Sequence, residues 1–180
     1  MATLKDLVAL VISEYPKPED LTRARLEKLI YLADVEWAWR YGDKLTDIDW
    51  IYNDYGPFVH ACDPPTGELE GEGSVKIHYD QTVFGNDKRW HQWIGSEKEV
   101  GGVTPEEINV IRSVIKETWR FQFGRFVEYV YSTPPMVQAN QYERLDIVGT
   151  MTKQRREILE KVTQDNLQRY EQDFRDLAKL

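Results

Sequence analysis

Hydrophobic positions recur at helical spacing in five segments of the chain and alternate in one. Thr3-Leu4-Lys5-Asp6 has the order of a capping box, and Leu4, Leu7, Val8 and Val11 follow on one stripe. This predicts a first helix that Pro16 and Pro18 end. A second helix is expected from Asp20 or Thr22 to Tyr41, with Gly42 where the left-handed residue beyond a helix belongs. Thr104-Pro105-Glu106-Glu107 joins a Thr cap, a proline at the first helical position and a glutamate able to reach back to the cap amide. Ile108, Ile111, Val114, Ile115 and Trp119 then mark a buried stripe. Gly124 is expected to break or kink this segment, leaving a shorter helix to Tyr131 before Pro134-Pro135. A last helix starts near Thr152, with Leu167, Tyr170, Phe174 and Leu177 in a seam too short to define a coiled coil.

Between these helices, Trp50-Ile51-Tyr52 is a strand candidate, followed by Tyr55-Gly56-Pro57-Phe58. Pro64-Pro65-Thr66-Gly67, with Gly71 and Gly73, is expected to be loop. Val75, Ile77 and Tyr79 alternate with Lys76, His78 and Asp80, Gly85-Asn86-Asp87 turns the chain, and Arg89–Ile94 returns. A β-hairpin is therefore expected over about residues 74–95. The fold class is α+β and predominantly helical, a helical bundle with a small inserted antiparallel sheet, in one domain over residues 1–180.

The second helix carries two apolar faces. Leu26, Leu29, Ile30, Ala33, Trp37 and Tyr41 cluster on one side, and Leu32, Val35 and Trp39 fall near the opposite side. Burial all round is the ordinary reading of such a helix. The alternative keeps Leu32, Val35 and Trp39 for a partner, since Trp and Tyr dominate binding hot spots.

The formal charge of −8 is uneven: residues 1–74 hold 15 acids and 7 bases, while the rest of the chain is balanced. An acidic region repels phosphate backbones and suits a basic partner or plain solubility. Lys153-Gln154-Arg155-Arg156 is the one hint of a basic face, so direct nucleic-acid binding is not expected. No run approaches the roughly 20 apolar residues of a membrane span, and Leu7–Ile12 with Asp6 before it does not make a signal peptide. The lone Cys62 excludes internal disulfides and suits a reducing compartment, so the expected location is the cytoplasm.

Candidate chemistry is thin. His60 and Cys62 flank Ala61, but a structural zinc needs four ligands and no second pair stands at finger spacing. One cysteine and three histidines do not make a nucleophile–base pair, and Cys62 is ordinarily a small packed thiol. Phosphate-loop, dinucleotide, zinc-protease and nucleophile-elbow motifs are absent from the sequence. Asp47, Asp49 and Asp54 lie in polar loops where solvated carboxylates are the default. The expectation is a protein without catalytic residues, metal or cofactor.

The run Leu26-Glu27-Lys28-Leu29-Ile30-Tyr31-Leu32-Ala33-Asp34, then Tyr41-Gly42, then Tyr52 and Tyr55-Gly56-Pro57, resembles the Panacea-domain family of SocA-like antitoxins and phage-associated proteins. The capped helix from Thr104, the Gly124 region and Ser132-Thr133-Pro134-Pro135 agree with it in order. Met136 stands where family members commonly carry Trp. The resemblance covers about residues 4–59 and 104–140, leaving the hairpin and the last helix, about 152–180, outside.

The family motif residues here are Lys28, Tyr31, Asp34, Gly56 and Pro57. Lys28, Tyr31 and Asp34 share one helix surface at successive turns. Trp50, Tyr52, Tyr55 and Phe58 gather round the corner that Gly56-Pro57 makes beside the helix. Such a corner is ordinarily an aromatic mini-core, and its functional reading is an exposed docking surface. The resemblance implies an antitoxin that neutralises a cognate protein toxin, encoded by an adjacent gene, through direct binding. The candidate contacts are Trp39, Leu32, Val35, Trp50, Tyr52, Tyr55 and Phe58. Some family members instead deliver the toxin to a protease. A toxin-free phage or mobile-element protein acting as an acidic mimic is the alternative from another class. The chain opens directly into the family-like region, so no operator binding is expected. The last helix leaves oligomeric state open, since its seam can pack on its own body or on a second copy.

Overall fold

The computed structural model describes residues 2–81, 85, 87–96 and 101–177, with side chains as far as Arg169. Helix α1 (Leu4–Glu14) opens with the expected capping box: Thr3 Oγ1 accepts from the Asp6 amide, and Asp6 Oδ2 accepts from the Thr3 amide at 2.9 Å. All of Leu7–Ile12 is buried, so α1 is enclosed well beyond its predicted stripe. After a 3-10 turn at Pro18–Asp20, Thr22 caps α2 (Arg23–Tyr41) through the Arg25 amide, and Gly42 ends it in the left-handed region.

Helix α2 is the axis of the molecule. It packs against α1, α4, α5 and α7, and every residue from Arg25 to Val35 is buried. The two apolar faces are therefore both core faces. Leu32 and Val35 are buried and take no part in a surface, because α2 is surrounded by the chain's own helices. Trp39 is half-buried and packs against that core, and its carbonyl accepts from Arg155 of the last helix.

Residues 52–57 form a minute antiparallel pair, β1 (Tyr52–Asn53) with β2 (Gly56–Pro57). The strand expected at Trp50-Ile51-Tyr52 thus contributes only its last residue. Helix α3 (Asp63–Gly71) stands where a loop was expected. Two prolines at its start are compatible with a helix because first-turn amides have no intrahelical acceptor. Buried Pro65, Thr66 and Leu69 anchor it despite Gly67. The hairpin forms as predicted from β3 (Val75–Gln81) and β4 (Asp87–Trp93), with Val75 opposite Trp93 and Gln81 opposite Asp87. Asn86 of its expected turn lies outside the described residues.

Helix α4 (Pro105–Thr118) carries the predicted Thr104–Glu107 capping box. It ends at Thr118, and α5 (Phe123–Tyr131) begins before Gly124, so the break lies ahead of that glycine and not at it. Helix α6 (Pro134–Gln138) uses Pro134 and Pro135 as its first residues. Met136 is buried within it, so this is a packing position filled by a thioether. Helix α7 (Ile147–Leu177) starts five residues earlier than Thr152, because Asp146 accepts from the Gly149 amide and caps it. Its first turns bury Ile147 and Met151, whereas Leu167 is exposed; Tyr170, Phe174 and Leu177 have side chains outside the described set. Among the described residues no helix is long and apolar enough to cross a membrane.

Candidate partner-binding site

Four polar side chains on one face of α2 are buried: Glu27, Lys28, Tyr31 and Asp34. Charged groups are rarely this enclosed unless paired, and each here engages the chain that wraps over α2. Asp34 accepts from the Thr46 amide at 2.7 Å, the Thr46 hydroxyl at 2.6 Å and Trp50 Nε1 at 2.7 Å. Burial pushes its carboxyl up to about 6 against the opposing pull of those hydrogen bonds. Tyr31 shares a 2.7 Å hydrogen bond with the Thr133 hydroxyl, and its ring meets Trp50 edge-on. Glu27 accepts from the amides of Val59 at 3.1 Å, Ala61 at 2.9 Å and Cys62 at 3.4 Å. These four amides and side-chain donors fix residues 46–62 and the start of α6 to one helix.

Lys28 differs from the other three. It is 1% exposed, and neither a hydrogen bond nor an ion pair to a described residue reaches its ammonium. The ammonium lies 5.8 Å from the Phe58 ring centre, and the side chain runs beneath Gly56. Desolvation lowers its pKa to about 8, with Glu27 pulling weakly the other way. Gly56 has φ of +94°, and a Cβ there would sit 3.4 Å from Lys28 Cε and 3.6 Å from the Tyr131 ring. Gly56→Ala is accordingly expected to cost about 1–2 kcal/mol in urea unfolding. An unchanged midpoint would show that an ordinary residue can carry this turn.

Above this buried scaffold lies an exposed aromatic surface. The backbone around Trp50–Tyr52 is held from the α6–α7 connection: the Tyr52 amide donates to Glu143 O, the Tyr142 amide to Tyr52 O and the Leu145 amide to Trp50 O. Tyr55 at the tip of the β1–β2 turn is 82% exposed. Tyr52 and Tyr131 meet edge-on with ring centres 5.7 Å apart. Tyr142, with a left-handed φ of 69°, donates to Asp54 Oδ1 at 2.5 Å, and Gln141 Nε2 donates to the same oxygen at 3.0 Å. Asp54 is thus the tie between the turn and the α6–α7 connection.

Of the residues expected to contact a partner, Tyr52, Tyr55 and Phe58 come together with Gly56 and Pro57 at this corner. Trp50 does not join them: it is 1% exposed and serves as the indole that Asp34 holds. Trp39 lies on the α7 side of α2, away from the corner. Reasoning from sequence missed Glu27, Tyr131 and Tyr142, whose positions depend on contacts more than 30 residues apart. His60 is exposed and meets Asp63 at 3.3 Å, whereas Cys62 is buried beside Glu27. Burial raises the Cys62 thiol and Glu27 adds to this, the reverse of what an activated nucleophile needs. Asp49 pairs with Arg144 and with Lys44, and so fastens loops.

No match is found among curated proteins or among solved structures. The family model described as antitoxin SocA-like, Panacea domain, matches residues 26–135, from near the start of α2 to the first residues of α6, and takes in the hairpin. That span contains the Glu27–Asp34 face, the β1–β2 corner and Thr133, while all of α1 and all of α7 lie beyond it. The family carries an antitoxin-like role, which points to a protein partner rather than to catalysis. Matched over well more than half its length, this chain belongs to the SocA-like antitoxin family built on the Panacea domain.

Proposed function

We propose that this protein neutralises a cognate protein toxin by direct contact, and that the tyrosine corner is part of the contact surface. The observation that carries the reading is the corner's construction. A turn with Tyr55 82% exposed is hydrogen-bonded on both flanks from beneath, through Trp50 to buried Asp34 and through Val59 to buried Glu27. Large aromatic side chains held rigid before binding lose little entropy on association, which is why Tyr and Trp supply so many hot spots. The acidic surplus of residues 1–74 suits a toxin with a basic face and speeds encounter without fixing the docked geometry. The acidic-mimic reading gains no support, because Asp49 and Asp54 are already engaged within the chain.

The test is growth of a bacterial host expressing each flanking gene, with and without this protein. Arrest by one neighbour and rescue by this chain support the reading, and co-purification then tests contact. A toxin level that stays constant during rescue indicates inhibition; a falling level indicates delivery to a protease. Tyr55→Ala is expected to weaken toxin binding at least about tenfold while leaving the unfolding midpoint unchanged. Full affinity in a folded Tyr55→Ala protein would remove the corner from the interface.

A further inference from the structure

A second surface feature lies next to the corner and shares Phe58 with it. A crevice of about 1190 Å³ opens between the N-terminus of α2, the β3–β4 hairpin and the start of α5. Its walls include Arg23 and Arg25 from α2, Arg89 from the hairpin, and the rings of Phe58, Phe121 and Phe123. Arg25 is 3% exposed. Its Nη1 donates to the Tyr15 hydroxyl at 3.1 Å and its Nη2 to the Phe121 carbonyl at 3.0 Å. Its buried Nε has no hydrogen-bond partner among the described residues. No carboxylate of a described residue forms an ion pair with it.

A guanidinium cannot escape this position by losing its proton, so enclosing one without a counter-charge destabilises the free protein. The same crevice receives the first turn of α2, whose amides have no intrahelical acceptor and whose dipole favours negative charge. Arg23 and Arg89 also have buried, unpartnered Nε atoms, but both guanidinia already bind the Asp63 carboxylate. Lys88 faces Asp80 directly across the hairpin. Of these three arginines, Arg25 is the one with no carboxylate partner among the described residues.

We infer that this crevice receives a carboxylate-bearing peptide segment of a protein partner, its carboxylate seated against Arg25 at the start of α2. The aromatic walls then take the apolar side chains flanking that carboxylate. The Arg25 guanidinium lies 4.6 Å from the Phe126 ring centre and 5.9 Å from Phe123, and with Nη1 and Nη2 each already donating, its Nε–H is the unused donor for the ligand. Asp20, Asp80 and Asp87 on the walls, in a chain of net charge −8, oppose a polyphosphate. Either a chain-terminal carboxylate or an Asp or Glu side chain supplies the required chemistry.

The test follows the arginine Nε–H resonances of the full-length, nitrogen-15-labelled protein. Three peptides serve as probes: acetyl-Ala-Phe-Glu-Phe-Ala-amide, acetyl-Ala-Phe-Gln-Phe-Ala with a free C-terminus, and acetyl-Ala-Phe-Gln-Phe-Ala-amide. The expected result is a saturable shift of the Arg25 Nε–H with one or both acids and at least about tenfold weaker binding of the uncharged control. Which acid binds more tightly distinguishes the side-chain source from the terminal one. Arg25→Gln should weaken the acid peptide by about tenfold or more. If that variant does not fold, Phe123→Ala at the exposed rim should weaken it by about threefold. Silence of Arg25 to both acids, equal binding of the control, or tighter saturation by inorganic phosphate overturns the inference. The titration needs no toxin, so its failure leaves the neutralisation reading standing.

Discussion

Replacing Asp34 with alanine should destabilise the fold by about 4 kcal/mol, the largest effect expected of any single change at the motif. Three buried donors converge on this carboxylate: the Thr46 amide, the Thr46 hydroxyl and Trp50 Nε1. Alanine leaves all three without an acceptor, at about 1–3 kcal/mol each, partly offset by no longer burying a charge. Trp50 then loses the bond that orients it against Tyr31. The pH dependence has a definite sign. The folded-state pKa of Asp34 is raised to about 6 from 3.8, so the folded chain takes up this proton before the unfolded chain does. The stability linked to that proton is complete below pH 3.8 and lost as pH rises through 6. Wild type therefore gains from this group on acidification and the alanine variant does not, so the gap between them widens from pH 7 to pH 5. His91 acts oppositely over an overlapping window: its pKa is lowered from 6.5 to about 4 by burial, so its contribution falls as pH drops from 6.5 to 4. Both proteins contain His91, and the difference between their urea unfolding curves isolates Asp34. A loss under about 1 kcal/mol would mean that water replaces the carboxylate and that the corner is not fixed through it.

The same residues show how far sequence pattern reaches. The two capping boxes, the hairpin and the Gly42 stop are local devices, each specified within a few residues, and the structure contains them where the pattern places them. The burial of α2 was legible as well, since apolar residues on opposite faces leave no side for solvent. Helix α3 was not, because Pro64-Pro65-Thr66-Gly67 has turn composition and becomes helical through the burial of Pro65, Thr66 and Leu69. Helix α7 begins at a cap, Asp146, that no flanking periodicity announces. Lys28, Tyr31 and Asp34 read correctly as one face of a helix, yet their spacing does not tell whether that face is buried. Their partners Thr46, Trp50 and Thr133 lie 12 to 102 residues away, and only the closed fold brings those donors and acceptors inward. The Arg25 crevice was hidden for the same reason, since three elements distant in sequence make its walls.

Lys28→Met is expected to stabilise the protein by about 2–3 kcal/mol at pH 7, against the usual direction of a change at a motif residue. The side chain is 1% exposed, its ammonium lies 5.8 Å from the Phe58 ring centre, and it has no hydrogen-bond acceptor among the described residues. Its folded-state pKa, about 8, lies below the ordinary 10.5, so the unfolded chain holds this proton more tightly. That interval corresponds to about 3 kcal/mol, reduced by the cation–π contact that methionine gives up. The penalty is complete below pH 8 and disappears as pH rises to 10.5, because the unfolded chain then loses its proton too. Wild type should accordingly approach the stability of Lys28→Met between pH 8 and 10.5, in urea unfolding followed at several pH values. A variant less stable than wild type at pH 7 would mean that the ammonium is satisfied in solution. A methionine variant that folds more tightly and still rescues growth assigns Lys28 to the architecture of the Gly56–Pro57 turn. One that folds more tightly and fails to rescue shows that the charge beneath Phe58 acts in partner contact, which the fold sustains at the expense of its own stability.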